Sequence, residues 1–298
     1  MSGLWAVYTV AGAAGQTARN AMQRELTASL GAVGATHVRF LFGFPFALLF
    51  LAGTLIYTNA GLPETNSHFW FWILSGAMTQ IGGTALMLLT MTTRSFVVTI
   101  AYLKTEPLFV AALGLLLLHD PLSWTMALAI VIATSGVVIM SVAPGAIAAQ
   151  GGLRPALFGL ASGALFAVSA IGYRGAIQAL HQQNYVLGAT FALAVGLVTQ
   201  ATLLSLWLAI RKPSVLWAIA RLWRPSLFAG FMGAMASEFW FLAFALATAA
   251  SVRTLGLVDV LFAQIASHVL FKQKTTVREA SGIVLLVGGA ALLVWAHP

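Results

Sequence analysis

The chain of 298 residues is 60% hydrophobic and only 7% charged, whereas about a quarter of the residues of a soluble domain are charged. That leaves too little polar surface to cover a water-facing globule, which excludes a soluble domain and points to a polytopic membrane protein. The formal net charge of +8 then reads as basic loops beside anionic lipid rather than a nucleic-acid surface, and the lack of cysteine rules out disulfides.

A helix needs about 20 mostly apolar residues to cross a bilayer. Ten segments meet this, at roughly 3–24, 30–57, 68–91, 95–118, 122–144, 155–180, 183–210, 225–248, 252–271 and 277–296. The first opens on MSGLWAVYTV with no basic residues ahead of it, so it is expected as a retained span rather than a cleaved signal. Turn and charge signals separate the runs: NAGLPETNSH, LHDPLS, APGAIAAQGGLRP, RKPSVLWAIARLWRPS and FKQKTTVRE. Backbone polar groups in lipid must be satisfied within the segment, which makes these runs helices. They are too long for barrel strands of about ten residues. The longest stretch expected outside the membrane is 211–224, which leaves no room for a soluble catalytic domain.

The loops after the odd-numbered spans carry Arg24, Arg94, Arg154, Arg211, Lys212, Arg221, Arg224, Lys272, Lys274 and Arg278; the other side has little beyond Arg174 and Arg253. Basic loops stay cytoplasmic, so both termini are predicted to be periplasmic, in a bacterial inner membrane.

The two halves resemble each other. TARNAMQREL aligns with IGYRGAIQAL, matching Arg19 to Arg174 and Gln23 to Gln178. Gly76–Met78 recurs at Gly233–Met235, and EPLFVAALGLLLLHDPLSW aligns with DVLFAQIASHVLFKQKTTV, matching Glu106 to Asp259 and Phe109 to Phe262. With five spans per unit, the second copy enters the membrane inverted, as in many secondary transporters. The expected fold is an all-α integral membrane protein of ten transmembrane helices in two inverted five-helix repeats, residues 1–148 and 149–298.

The same stretches, with VRFLFG at Val38–Gly43 and FALATAAS at Phe244–Ser251, resemble the EamA-type members of the drug/metabolite transporter superfamily. The resemblance runs over essentially the whole chain. It implies ten helices in two inverted repeats and export of amino acids or related metabolites, as in YddG-type amino-acid exporters. His119-Asp120 stands where that family usually has Gly-Glu, and Val260 where proline is common.

Of the seven acids, Glu25, Glu64, Asp120 and Glu279 fall at helix ends and are expected to be solvated, while Glu106, Glu238 and Asp259 fall inside apolar runs, as does Lys104. A charge at mid-bilayer costs about 2.5–3.5 kcal/mol on insertion scales and faces a partner or a wet cavity. Two readings stand. Either these four line a central cavity offering both signs to a zwitterion, or they are ion pairs that lock helices together. Lys104 and Glu106, two apart, point to nearly opposite sides of a regular helix and need not be partners. Pro107 cannot donate to the Leu103 carbonyl, so a helix bend is expected there.

Gln80 and Thr84, four apart, offer hydrogen bonds either to a ligand or between helices. Trp240, Tyr102, Tyr173 and Phe166 are candidates for an apolar wall, and Arg39 is expected to snorkel to the interface. The substrate-binding set is therefore Lys104, Glu106, Tyr102, Gln80, Thr84, Glu238, Trp240 and Asp259. Six scattered histidines give no metal motif, and no nucleophile or phosphate-loop pattern occurs. The expectation is a monomeric exporter in a lipid bilayer that moves small-molecule substrates, amino acids first, by alternating access, with no enzymatic activity, cofactor, metal or nucleic acid. A flippase for lipids or lipid-linked sugars and a passive facilitator are the alternatives.

Overall fold

The computed structural model describes residues 3–91, 103–141, 153–262, 264–265 and 276–296. The regular elements among them are all helical: α1 (Leu4–Leu41), α2 (Phe44–Thr58), α3 (Ser67–Met91), α4 (Glu106–Leu113, continued by a wider turn over Gly114–Leu118), α5 (Trp124–Ser141), α6 (Leu153–Ala179), α7 (Tyr185–Arg211), α8 (Pro213–Arg221), α9 (Trp223–Leu246), α10 (Ala249–Leu255) and α11 (Val277–Ala296). Among the described residues, six helical stretches are long and apolar enough to cross a membrane: Glu25–Thr58 (which takes in the end of α1 and all of α2), Ser67–Leu89, Leu157–Ala179, Tyr185–Arg211, Trp223–Leu246 and Val277–Ala296. Glu106–Leu118 and Trp124–Met140 are shorter apolar helices.

α1 is not one straight rod. Gly31 sits at φ 67°, ψ 172°, a region that is essentially glycine's alone. The Gln23 amide donates to the Ala35 carbonyl at 3.0 Å, although twelve residues of continuous helix would hold those positions about 18 Å apart. The chain therefore doubles back at Gly31. Other starts are set by side chains. Asn184 accepts from the backbone N–H groups of Val186 and Leu187 at the head of α7, and the Asn66 side chain accepts from Phe69 N–H at the head of α3. Both satisfy donors that an unfinished helix leaves open.

The most extensive helix contacts pair α3 with α6, α5 with α11, and α1 with α9. Small residues let these backbones meet. A Cβ on Gly136 of α5 would stand 2.6 Å from the Gly282 carbonyl oxygen of α11, and one on Gly282 would stand 2.6 Å from that of Gly136. Without a hydrophobic force between helices in lipid, such close packing is what joins them.

One expectation is corrected: residues Pro213–Arg221, read as part of a long loop, form the short helix α8. Pro213 stands in its first turn, where no backbone donor is needed, and Ile219 is buried while Trp217 is exposed. Replacing Gly31 with Ala should destabilise the protein by about 1–3 kcal/mol, seen as a lower unfolding temperature in detergent.

Candidate functional site

The described helices enclose a cavity of about 400 Å³, lined from α1, α3, α4, α6, α9, α10 and the turn after α10. Two of its walls are interruptions. On one side Lys104 and Thr105 form a turn before α4, Leu108 N–H donates to the Thr105 carbonyl, and Pro107 occupies the first helical turn. On the other, α9 ends at Leu246 and Ala247 is extended (φ −139°, ψ 165°). α10 then starts under the Thr248 side-chain cap, and a tight turn over Gly256–Val258 leads to Asp259.

Helix interruptions at membrane depth persist only where protein or a polar cavity satisfies the freed backbone. Arg174 does this at the end of α9. Its Nη1 donates to the carbonyl of Phe244 at 2.6 Å and to that of Ala247, while Nε and Nη2 grip the Asp120 carboxylate at 2.9 Å. Asp120 is thus buried and paired, not solvated as its helix-end position suggested.

Two further ion pairs cross the cavity between the interruptions. Lys104 Nζ donates to both oxygens of Asp259, at 2.7 and 2.5 Å. Arg253 Nε stands 2.9 Å from Glu106 Oε1, a close ionic contact without hydrogen-bond alignment, and the Arg253 guanidinium lies 4.9 Å from the Trp240 ring centre and 5.7 Å from that of Phe244. Lys104 and Glu106 are indeed not partners of one another; each finds its counter-charge on the segment around α10.

Gln80, Lys104, Glu106, Pro107, Trp240 and Asp259 all line the cavity. Gln80 also accepts from the Tyr173 hydroxyl at 2.8 Å and from Gln200 at 2.9 Å, so it ties α3 to α6 and α7. Thr84 is buried beside the lining, where its hydroxyl lies 3.5 Å from Arg39 Nη1. Glu238 stands apart, with one oxygen accepting from Thr190 at 2.5 Å. Tyr102 lies outside the described residues. Phe166 and Tyr173 join Trp240 in the lining.

The cavity residues that sequence reasoning did not bring to the site are arginines. Arg39 does not snorkel: it is 4% exposed and lines the cavity, with Nη2 3.4 Å from the Ser237 hydroxyl. Arg19, 3% exposed, lines it too, and Arg253 completes the set. The stems of Arg19 and Arg39 run side by side over Gly233, where a Cβ would stand 3.3 Å from Arg39 Cγ and 3.4 Å from Arg19 Cδ. The signal for Arg19 was its repeat match to Arg174; for Arg39, next to a membrane-length apolar run, hydropathy alone gives an interfacial position.

Residues 3–142 match the model of the EamA-like transporter family, so the first half of the chain is similar to that family. With its membrane-length helices, the chain is an integral membrane protein. Among solved structures, one described only as the crystal structure of a protein aligns over 99% of this chain and 96% of its own, with a TM-score of 0.72 at 15% identity. That likeness concerns the fold. No curated protein matches.

Removing one partner of a buried ion pair leaves the other uncompensated, at about 3–5 kcal/mol. Lys104→Met should therefore lower stability by about that amount, and adding Asp259→Asn should restore most of it. Thermal unfolding of the two single variants and the double variant measures this coupling.

Proposed function

We propose that the protein is a secondary transporter that exports small polar metabolites across a bacterial inner membrane by alternating access, with amino acids the first class to test. The observation that carries this reading is the cavity between interrupted helices, lined by charges of both signs that come from both halves of the chain. Interrupted helices around a polar chamber are where secondary transporters hold solute.

The proposed architecture is ten spans in two inverted halves, 1–148 and 149–298. The helix pairing supports it. α1 packs on α9, α3 on α6 and α5 on α11; in span order this joins the first to the third of the other half, the third to the first, and the fifth to the fifth. A two-fold axis in the membrane plane exchanges the first two contacts and maps the last onto itself. Rocking of the halves would make and break the ion pairs Lys104–Asp259 and Glu106–Arg253, which connect them.

Uptake of radiolabelled amino acids into proteoliposomes, with and without a pH gradient, tests the reading and separates driven from facilitated movement. The charge-balanced variant Lys104→Met/Asp259→Asn should lower the initial rate by about tenfold or more, as the loss of one charged contact implies, while eluting like the parent in size-exclusion chromatography. Wild-type rates in that variant would remove the cavity from the pathway.

A further inference from the structure

All seven Asp and Glu side chains lie among the described residues, so each acidic side chain can be accounted for. Asp259 holds Lys104, Asp120 holds Arg174 and Glu106 holds Arg253. Glu238 bonds to Thr190. Glu279 bonds to Thr276 at an exposed helix start, and Glu25 and Glu64 are exposed. None pairs with Arg19 or Arg39. The cavity thus holds four cations against two carboxylates, and both carboxylates are already taken.

The two remaining arginines are buried to at least nine-tenths and poorly satisfied. Arg19 donates from Nη2 to Asn20 at 2.8 Å, while its Nε and Nη1 have no partner. Arg39 reaches Thr84 and Ser237 only at 3.5 and 3.4 Å, and its Nε is unpartnered. These lengths lie beyond the usual 2.7–3.2 Å for N–H···O bonds. An unpaired charge at membrane depth is costly and points to function. The repeat shows why Arg19 is left unpaired. Its counterpart Arg174 is neutralised by Asp120, and the residue that aligns with Asp120 in the second half is Gln273. The arginine recurs in both halves, and the acid occurs in one.

We infer that the transported solute is a small organic anion whose carboxylate or phosphate oxygens are held by the Arg19 and Arg39 guanidinium groups, with an apolar body against Phe166, Tyr173 and Trp240. This rests on the transporter reading above and specifies its substrate class. Guanidinium forks match such oxyanions in geometry as well as charge. The ammonium of a zwitterion finds no free carboxylate in this cavity, so charge favours the anion over the amino acid of the same skeleton. Gly233 gives the two arginine stems their room, which makes it a positioning residue for the pair.

The probes are phenylpyruvate, phenylalanine and phenethylamine, one skeleton carrying net negative, zero and positive charge, with phenyl phosphate as the phosphate arm. In proteoliposomes the anions should enter at least about tenfold faster than the other two. In detergent at constant ionic strength, saturating anion should raise the unfolding temperature by about 3 °C or more; which of the two anions does so assigns the headgroup. Arg19→Met should abolish that rise while leaving the ligand-free unfolding temperature equal or higher, since it removes an uncompensated buried charge. Arg39→Met should abolish the rise too, and Arg39→Lys should retain part of it, which tests the pair independently of Arg19.

Preferential uptake of phenylalanine overturns the anion inference and leaves the exporter reading intact. The inference also falls if anions stabilise Arg19→Met as they do the parent, or if only short-chain phosphatidylglycerol stabilises the protein. No uptake of any amino acid or of any of the four probes counts against both.

Discussion

Lipid offers no hydrogen bonds, and that constraint organises this molecule. Wherever a helix stops inside the apolar layer, something in the protein must take over from water. The turn at Lys104–Thr105 and the break at Ala247–Thr248 are two such stops. The second is closed by Arg174, whose guanidinium serves two carbonyls and a carboxylate at once. The cavity lies where the stops come together, and its charges follow from the same cause. Polar side chains collect around interrupted backbone because that is where they are least costly to bury and most able to meet a solute.

The three ion pairs among the described residues then divide the labour. Arg174–Asp120 is structural, tied into backbone and lying outside the cavity lining. Lys104–Asp259 and Glu106–Arg253 span the chamber from one interrupted segment to the other. Buried pairs of this kind contribute little net stability but penalise any arrangement that separates them. Their value lies in specifying which surfaces of the two segments face one another, and in making that facing sensitive to whatever enters between them.

Much of this was legible in the sequence, for definable reasons. Lys104, Glu106 and Asp259 stand out because each interrupts an apolar run, and hydropathy is sensitive to that. Pro107 was expected to bend a continuous span, and instead it stands in the first turn of α4, just after the turn at Lys104–Thr105. The partners were not legible: that Lys104 meets Asp259 and Glu106 meets Arg253 depends on how two distant segments cross, and no local spacing encodes it. Arg39 and Asp120 were misplaced for one reason. A charge near the end of an apolar run reads as interfacial, but the chain turns sharply at Gly31 and again after Gly114–Leu118, and both charges end up inside. Arg19 shows the opposite case. Aligning the two halves matches it to Arg174 and matches Asp120 to Gln273, but the use of that match becomes visible only when the Arg174–Asp120 pairing is known.

A chamber with more fixed positive than negative charge has a further consequence for its contents between encounters. The stems of Arg19 and Arg39 run side by side over Gly233, and neither guanidinium forms an ion pair among the described residues. If the anion inference holds, the resting chamber would act as an ion exchanger, holding whichever small inorganic anion is abundant. A transported anion would then enter by displacement, with an apparent affinity set jointly with the chloride, sulfate or phosphate of the compartment it leaves.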